Sequence, residues 1–352
     1  MSLEAPPATP SEALLWSRQP DGSVVCHLCA HRCRIRPGLS GICGVRENRD
    51  GMLVTLVADR SVSAEVDPIE KKPFFHFLPG TRAYSIATVG CNFHCLFCQN
   101  WSISQWPRAH AGRIPGERTS PAEVVRAARA AGCASIAYTY TEPTVFLELA
   151  LATSRLAAAA GLGNVFVTNG YMTAEALALV APVLHGANVD LKSFSDRYYR
   201  KVCGATLAPV LDTIRGLRER AIWVEVTTLL VPGHNDGDEE LRALAAWLAS
   251  VDRDMPWHVS AFSPAYRMRD VPPTSTAALH RAARIGQDAG LRYVYTGNVP
   301  GDPFESTRCP GCGRELIRRR GFAVVASALA DGRCPGCATA IAGVWEARFD
   351  LR

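Results

Sequence analysis

The sequence predicts an α/β protein: a full or partial (β/α) barrel with small Cys-rich N-terminal and C-terminal metal-binding segments. Three observations carry that expectation. From about residue 84 to residue 298, apolar strand-like runs alternate with helix-like runs six times or more. That is the pattern of a parallel sheet covered by helices. Thirteen cysteines are present, and eleven fall into three tight groups. One group, Cys91, Cys95 and Cys98, follows directly on the first strand. In such barrels the reactive groups sit at that carboxyl end. The expected division is a flexible N-terminus over 1–20, a Cys-rich segment over 21–80, the barrel over 81–300 and a zinc-ribbon-like segment over 301–352.

The elements follow in order. "GMLVTLVADR" is a short β-like run, and "DPIEKKPFFHFLPG", with three prolines and unperiodic aromatics, predicts an ordered loop. "AYSIATVG" predicts the first buried strand. "TSPAEVVRAARAAG" predicts a helix with Ser120 as N-cap, Pro121 at the first position and a stop at Gly132. "ASIAYTY" is a strand, "TVFLELALATSRLAAAAGLG" a helix, "NVFVTNG" a strand, "TAEALALVAPVL" a helix and "GANVDLK" a strand. "APVLDTIRGLRERA" is a helix and "IWVEVTTLLVPG" a strand. "DGDEELRALAAWLASV" is a helix whose acidic first turn suits the helix dipole. "PWHVSAFSP", "TSTAALHRAARIGQDAG" and "LRYVYTGN" complete the series as strand, helix and strand.

The net charge of +5 is mild for 352 residues and makes no case for a nucleic-acid or membrane partner. The opening "MSLEAPPATP" lacks a basic stretch followed by an apolar run, so no secretory signal is expected. The longest apolar run is cut by Glu148, Thr153, Ser154 and Arg155, so no transmembrane helix is expected and the location is read as cytoplasmic. In a reducing compartment, clustered cysteines read as metal ligands rather than disulfides. Cys133 and Cys203 stand outside the groups and read as buried structural thiols.

Cys91, Cys95 and Cys98 form a C-x3-C-x2-C trio. Three thiolates hold three irons of a [4Fe–4S] cube and leave one corner open, as a site for chemistry needs. The rival is a zinc site that borrows His94. Cys309, Cys312, Cys334 and Cys337 form two C-x2-C turns about twenty residues apart, a strong structural-zinc pattern with a rubredoxin-like iron as rival. Cys26, Cys29, Cys33 and Cys43, with His27 and His31 nearby, offer four thiols to an auxiliary iron–sulfur cluster or a zinc.

The trio, with Phe97 before its last cysteine, resembles the signature of radical S-adenosylmethionine (radical SAM) enzymes, which implies a barrel of radical SAM type. The resemblance implies cofactors, a [4Fe–4S] cluster and S-adenosyl-L-methionine. It implies reductive cleavage to a 5′-deoxyadenosyl radical that abstracts hydrogen from a substrate the sequence does not identify. It also implies cofactor contacts at the strand ends. Thr141 and Glu142 stand in "YTYTEPT" where many relatives carry Gly-Gly-Glu-Pro. Asn169 ends the third strand, Asp190 and Lys192 the fourth, and Val231 lies near the adenine after the fifth. His258 is expected at the end of the sixth strand, facing the cofactor. Phe97 completes the set.

Nearly the whole chain, about 20–346, is similar to the AmmeMemoRadiSam system radical SAM enzymes within the pyruvate formate-lyase activating enzyme family. The marks are "CHLCAHRC", "GLSGICGVREN", "DPIEKKPFFHFLPG", "TVGCNFHCLFCQNWSISQ", "YTYTEPTVFLE", "VDLKSF" and "YVYTGNVPG". That resemblance implies a reductant such as flavodoxin or ferredoxin, and AMMECR1-like and Memo-like partners. Activase-like, oxidoreductase and carbon–carbon or carbon–hydrogen chemistries stay open, as do a partner-protein glycine and a small molecule as substrate. "DPIEKKPFFHF", with Glu70, Lys71 and Lys72, is expected as a lid or a partner surface. A different class, a non-catalytic zinc-binding scaffold, is the alternative.

Overall fold

The computed structural model describes residues 10–349. Its centre is an eight-stranded sheet. We number its strands β1 (Ser63–Pro68), β2 (Arg82–Ala87), β3 (Ser135–Tyr138), β4 (Gly163–Thr168), β5 (Gly186–Asp190), β6 (Trp223–Leu230), β7 (Trp257–Ala261) and β8 (Val294–Gly297). The strands lie side by side in chain order, β1 antiparallel to β2 and all later neighbours parallel. The array is open, with β1 at one edge and β8 at the other. The barrel is therefore partial. Its edge strand β1 comes from within the expected Cys-rich segment.

Six helices connect the parallel strands: α1 (Pro121–Ala130), α2 (Leu147–Ala159), α3 (Ala174–Val180), α4 (Ala208–Glu219), α5 (Asp238–Val251) and α6 (Thr276–Asp288). Local chemistry sets their ends. Ser120 and Glu123 form a reciprocal capping box on α1, with Pro121 just inside. Thr173 caps α3 and Ser275 caps α6. Helix α3 stops at Val180, short of the expected run, because Pro182 sits in the following turn and has no N–H to donate. No described helix is long and apolar enough to cross a membrane.

The stretch expected to be a flexible N-terminus differs in part. Residues 1–9 lie outside the described residues. From there on, Ser11–Glu12 pairs with Met52–Thr55, and Trp16–Arg18 pairs with Val24–Cys26. Backbone pairing in two small sheets holds these residues against the Cys-rich segment.

"DPIEKKPFFHF" is not a lid. After a single turn at Ile69–Lys71 the chain runs into the barrel from the amino ends of the strands. Phe74 and Phe77 are fully buried against Ala83, Ala137 and Val165. A Cβ on Gly186 would meet both rings at 3.1–3.3 Å, so small residues at the strand starts make the room. Glu70 and Lys72, expected as exposed charges, are 1% and 2% exposed. Lys72 Nζ lies 2.7 Å from Asp67 Oδ2. The segment is the barrel's floor, and apolar burial is what draws it inside.

The C-terminal segment is a three-stranded ribbon, Thr307–Arg308, Glu315–Arg320 and Ala323–Ser327. It docks on the floor through fully buried Arg319, which donates to the Phe75 carbonyl at 2.7 Å and to Thr307 Oγ1 at 2.8 Å. Val344 N donates to the His76 carbonyl at 2.7 Å.

Candidate active site

The loop after β2 begins at Gly90, whose φ is +93°. A Cβ there would stand 2.6 Å from Val45 Cγ1 and 2.8 Å from the Cys43 carbonyl, so only glycine fits. Cys91, Cys95 and Cys98 follow and line a cavity of about 260 Å³ at the carboxyl ends of the strands. A π-helical turn, Tyr199–Cys203, backs this loop. His94 N donates to the Cys203 carbonyl at 2.8 Å, and Leu96 N to the Val202 carbonyl at 3.0 Å.

Of the residues singled out from sequence, Phe97, Thr141, Asn169, Asp190 and Lys192 line the same cavity. Lys192 Nζ sits 3.0 Å from Asp190 Oδ2 and 5.6 Å from the Phe97 ring centre. Burial alone would lower the Lys192 pKa. Asp190 and Cys95 more than offset this and hold it well above its ordinary value. A hydrogen bond from Cys203, helped by Lys192, holds the Cys95 thiol below its usual range despite burial. Burial pushes Cys91 and Cys98 up, so a bound metal would have to draw off their protons. Cys203 is fully buried, as the sequence reading expected, and what that reading did not foresee is its influence on Cys95.

Asn169 Nδ2 donates to Asn92 Oδ1 at 2.7 Å and lies 3.8 Å from Cys91 Sγ. Asn100 Nδ2 donates to the Tyr140 carbonyl at 2.7 Å, tying the cysteine loop to the end of β3.

Three expected contacts do not reach the cavity. Glu142 is fully buried behind it. Its Oε1 accepts from Thr144 and Thr168, and its Oε2 accepts from Asn169 N at 2.8 Å, so it braces β3 against β4. Burial raises its pKa. Val231 is buried, and its N–H donates to Asn235 Oδ1 at 2.7 Å. His258 is the second residue of β7, not its end. Its Nε2 meets Glu225 Oε2 at 2.7 Å, and its ring meets Phe75 edge-on at 4.8 Å. Ser260, two residues on and therefore on the same face, is the one that reaches the cavity.

Sequence reading missed Pro73, Tyr140, Thr227, Leu229, Ser260 and Asn298 in the lining. Alternation along β6 and β7 was the available signal for Thr227, Leu229 and Ser260.

The tail cysteines form a separate centre. Cys309, Cys312, Cys334 and Cys337 have their sulfurs within 4.8 Å of one another. Cys309 faces Cys337 at 3.5 Å, and Cys312 faces Cys334 at 3.6 Å. With metal–sulfur bonds of about 2.3 Å, such a set closes on one tetrahedral ion. Among the described residues, no other three such ligands gather this closely.

Comparison with known proteins gives a consistent picture. A model of the radical SAM superfamily matches residues 85–248. An uncharacterized protein of Methanocaldococcus jannaschii is 44% identical over 309 residues, covering 88% of this chain and 91% of that protein. The isethionate sulfite-lyase activating enzyme of Oleidesulfovibrio alaskensis is 28% identical over 122 residues, covering 33% of this chain and 40% of that one. A solved radical SAM methyltransferase from Sphaerobacter thermophilus superposes with a TM-score of 0.50 at 15% identity, over 84% of this chain and 79% of that one. At that identity the likeness is one of fold.

Proposed function

Since the chain belongs to the radical SAM superfamily, we propose that Cys91, Cys95 and Cys98 hold a [4Fe–4S] cluster whose open corner takes S-adenosylmethionine. Membership makes the chain an enzyme and sets the non-catalytic scaffold aside. One observation carries the site assignment: three thiols, an acidic–basic pair and a carboxamide converge on a single cavity at the strand ends. The trio is also more loosely spaced than the tail set, as a four-iron cube requires and a single ion does not. When bound, the cluster and S-adenosylmethionine supply one-electron cleavage and a hydrogen-abstracting radical.

The chain's own residues do the rest. Asp190 turns a carboxylate toward the cavity, fixed by Lys192, and suits a bound ammonium or hydroxyl. The Asn169 carboxamide is held in one orientation by Asn92 and by Tyr171 N, which donates to Asn169 Oδ1 at 3.0 Å. Phe93, Phe97, Leu229 and Pro73 exclude water, while Thr227, Ser260 and Asn298 make a neutral polar wall for substrate.

A glycyl-radical activase acting on a partner protein is the second reading, favoured by the similarity to an isethionate sulfite-lyase activating enzyme. The quoted motifs further support assignment to the AmmeMemoRadiSam group, with AMMECR1-like and Memo-like partners and a flavodoxin or ferredoxin donor. We read the tail set as a zinc site, and the N-terminal thiols as a second metal site, zinc or iron–sulfur.

Cys98→Ala tests the central reading. Dithionite-reduced wild type is expected to form 5′-deoxyadenosine from S-adenosylmethionine, and the variant none. Formation at the wild-type rate in the variant would refute the assignment.

A further inference from the structure

Arg46 is 1% exposed, yet its Nε and Nη1 have no hydrogen-bond partner. Nη2 alone is engaged, by Glu148 Oε1 at 2.6 Å and the Leu14 carbonyl at 2.8 Å. Cys26, Cys29 and Cys43 lie within electrostatic reach of the guanidinium. A buried cation with idle N–H groups is costly unless an anion with acceptors stands beside it. A thiolate-bound metal centre is such an anion.

Spacing indicates which kind. The tail sulfurs are gathered for one ion, while the N-terminal four, like the barrel trio, are not. They are nonetheless one group: Cys26 N donates to the Cys33 carbonyl at 2.9 Å, Cys33 and Cys43 pack against the same buried cluster as Cys26, and Cys29 lies within electrostatic reach of all three. A cube with iron at its corners holds thiolates further apart than a single ion does.

The group also touches the active site. His31 Nε2 bonds the Asn92 carbonyl at 2.8 Å, next to Cys91. Cys29 forms a bridge with Met172 beyond the end of β4. Arg108 donates to the Ile42 carbonyl, beside Cys43, and to Gln105 Oε1, while Gln105 Nε2 donates to the Phe93 carbonyl, two residues from Cys91. Cys26 and Cys29 are buried, whereas Cys33 and Cys43 are partly exposed. One side of the group thus faces solvent and the other the barrel loop.

We propose that Cys26, Cys29, Cys33 and Cys43 hold a second, polynuclear iron–sulfur cluster with Arg46 as its buried hydrogen-bonding counter-ion, and that it relays electrons to the active site. A low-potential protein donor loses one electron, this cluster gains and then loses it, and the barrel site is reduced by one; no bond forms or breaks. The relay rests on the radical reading of the barrel trio, whereas the cluster itself does not.

The test uses the full chain, reconstituted anaerobically with iron and sulfide. Wild type is expected to bind about eight irons, and a Cys91→Ala/Cys95→Ala/Cys98→Ala variant about four, with a reduced-cluster paramagnetic signal. If iron in the wild type vanishes entirely in that variant and zinc fills the N-terminal thiols, this inference fails and the radical reading stands. If the wild type binds iron nowhere, the radical reading fails first. In the triple variant, Arg46→Met is expected to lower the midpoint potential and Arg46→Lys to restore part of it. An unchanged potential in both removes Arg46 from the site. For the relay, Cys29→Ala/Cys33→Ala is expected to lower the ratio of flavodoxin-driven to dithionite-driven 5′-deoxyadenosine formation about tenfold. An unaltered ratio overturns the relay.

Discussion

Acid should loosen the union of barrel floor and tail through one imidazole, that of His76. It is fully buried, with Nδ1 2.6 Å from the Ala342 carbonyl and Nε2 2.6 Å from Tyr295 Oη. A carbonyl only accepts, so Nδ1 carries the ring proton and Nε2 accepts from the Tyr295 hydroxyl. Thr307 Oγ1 lies 2.9 Å from that hydroxyl and receives Arg319 Nη1 at 2.8 Å, so the donors run one way from Arg319 to Ala342. A second proton on His76 would reverse the Tyr295 hydroxyl and bury a cation.

Burial accordingly holds the His76 pKa down to about 4, from the ordinary 6.5. Above pH 6.5 the ring is neutral folded or unfolded, and its titration contributes nothing. As pH falls through 6.5 the unfolded chain takes up the proton and the folded chain does not, so stability drops. The loss is about 2 kcal/mol at pH 5 and levels off near 3 kcal/mol below pH 4. Urea unfolding of wild type and His76→Gln, measured anaerobically between pH 7.5 and 5 with tail fluorescence as probe, checks this. The stability difference between the two should shrink by about 2 kcal/mol across that range. A difference that stays constant with pH would refute the neutral buried imidazole.

Three further outcomes follow from named contacts. Arg319→Met removes the guanidinium that joins Phe75, Thr307 and Glu70, and is expected to cost about 3 kcal/mol in urea unfolding, with a loss below about 1 kcal/mol counting against a buried clamp. Asp190→Asn keeps the shape but removes the countercharge from Lys192. Equilibrium dialysis should show S-adenosylmethionine binding about tenfold weaker with iron content unchanged, and wild-type affinity would move the cofactor contact elsewhere. Cys312→Ser should release zinc, by metal analysis, while the barrel iron is retained; joint loss of both would show that the two centres are not independent.

Much of this architecture was legible in the sequence, for local reasons. Capping at Ser120, acidic first-turn residues at Asp238 and apolar alternation act within a few residues of chain. Site residues were legible where they close a strand or follow it at once, as Asp190 and Lys192 do. His258 was misjudged because alternation tells which face a side chain takes but not its depth. Depth is settled by packing: Glu225 Oε2 and the Phe75 ring hold the His258 imidazole below the cavity, and Ser260 reaches it instead. Glu142 was placed at the correct strand end, yet its carboxylate is consumed by four donors behind the cavity wall.

By itself, the sequence determined the βα series, the three cysteine groups and the incomplete membership of the one at the barrel mouth. These are matters of spacing along the chain, and spacing is what a one-dimensional string records. Tertiary structure decided the rest. It left the sheet open, drew Phe74 and Phe77 inside as a floor where a lid was expected, and set Arg46 near Cys26, Cys29 and Cys43. It also drew the tail sulfurs together while leaving the other two groups wider. Each of these outcomes depends on groups far apart in sequence competing for the same buried volume, and that competition is settled only when the chain packs.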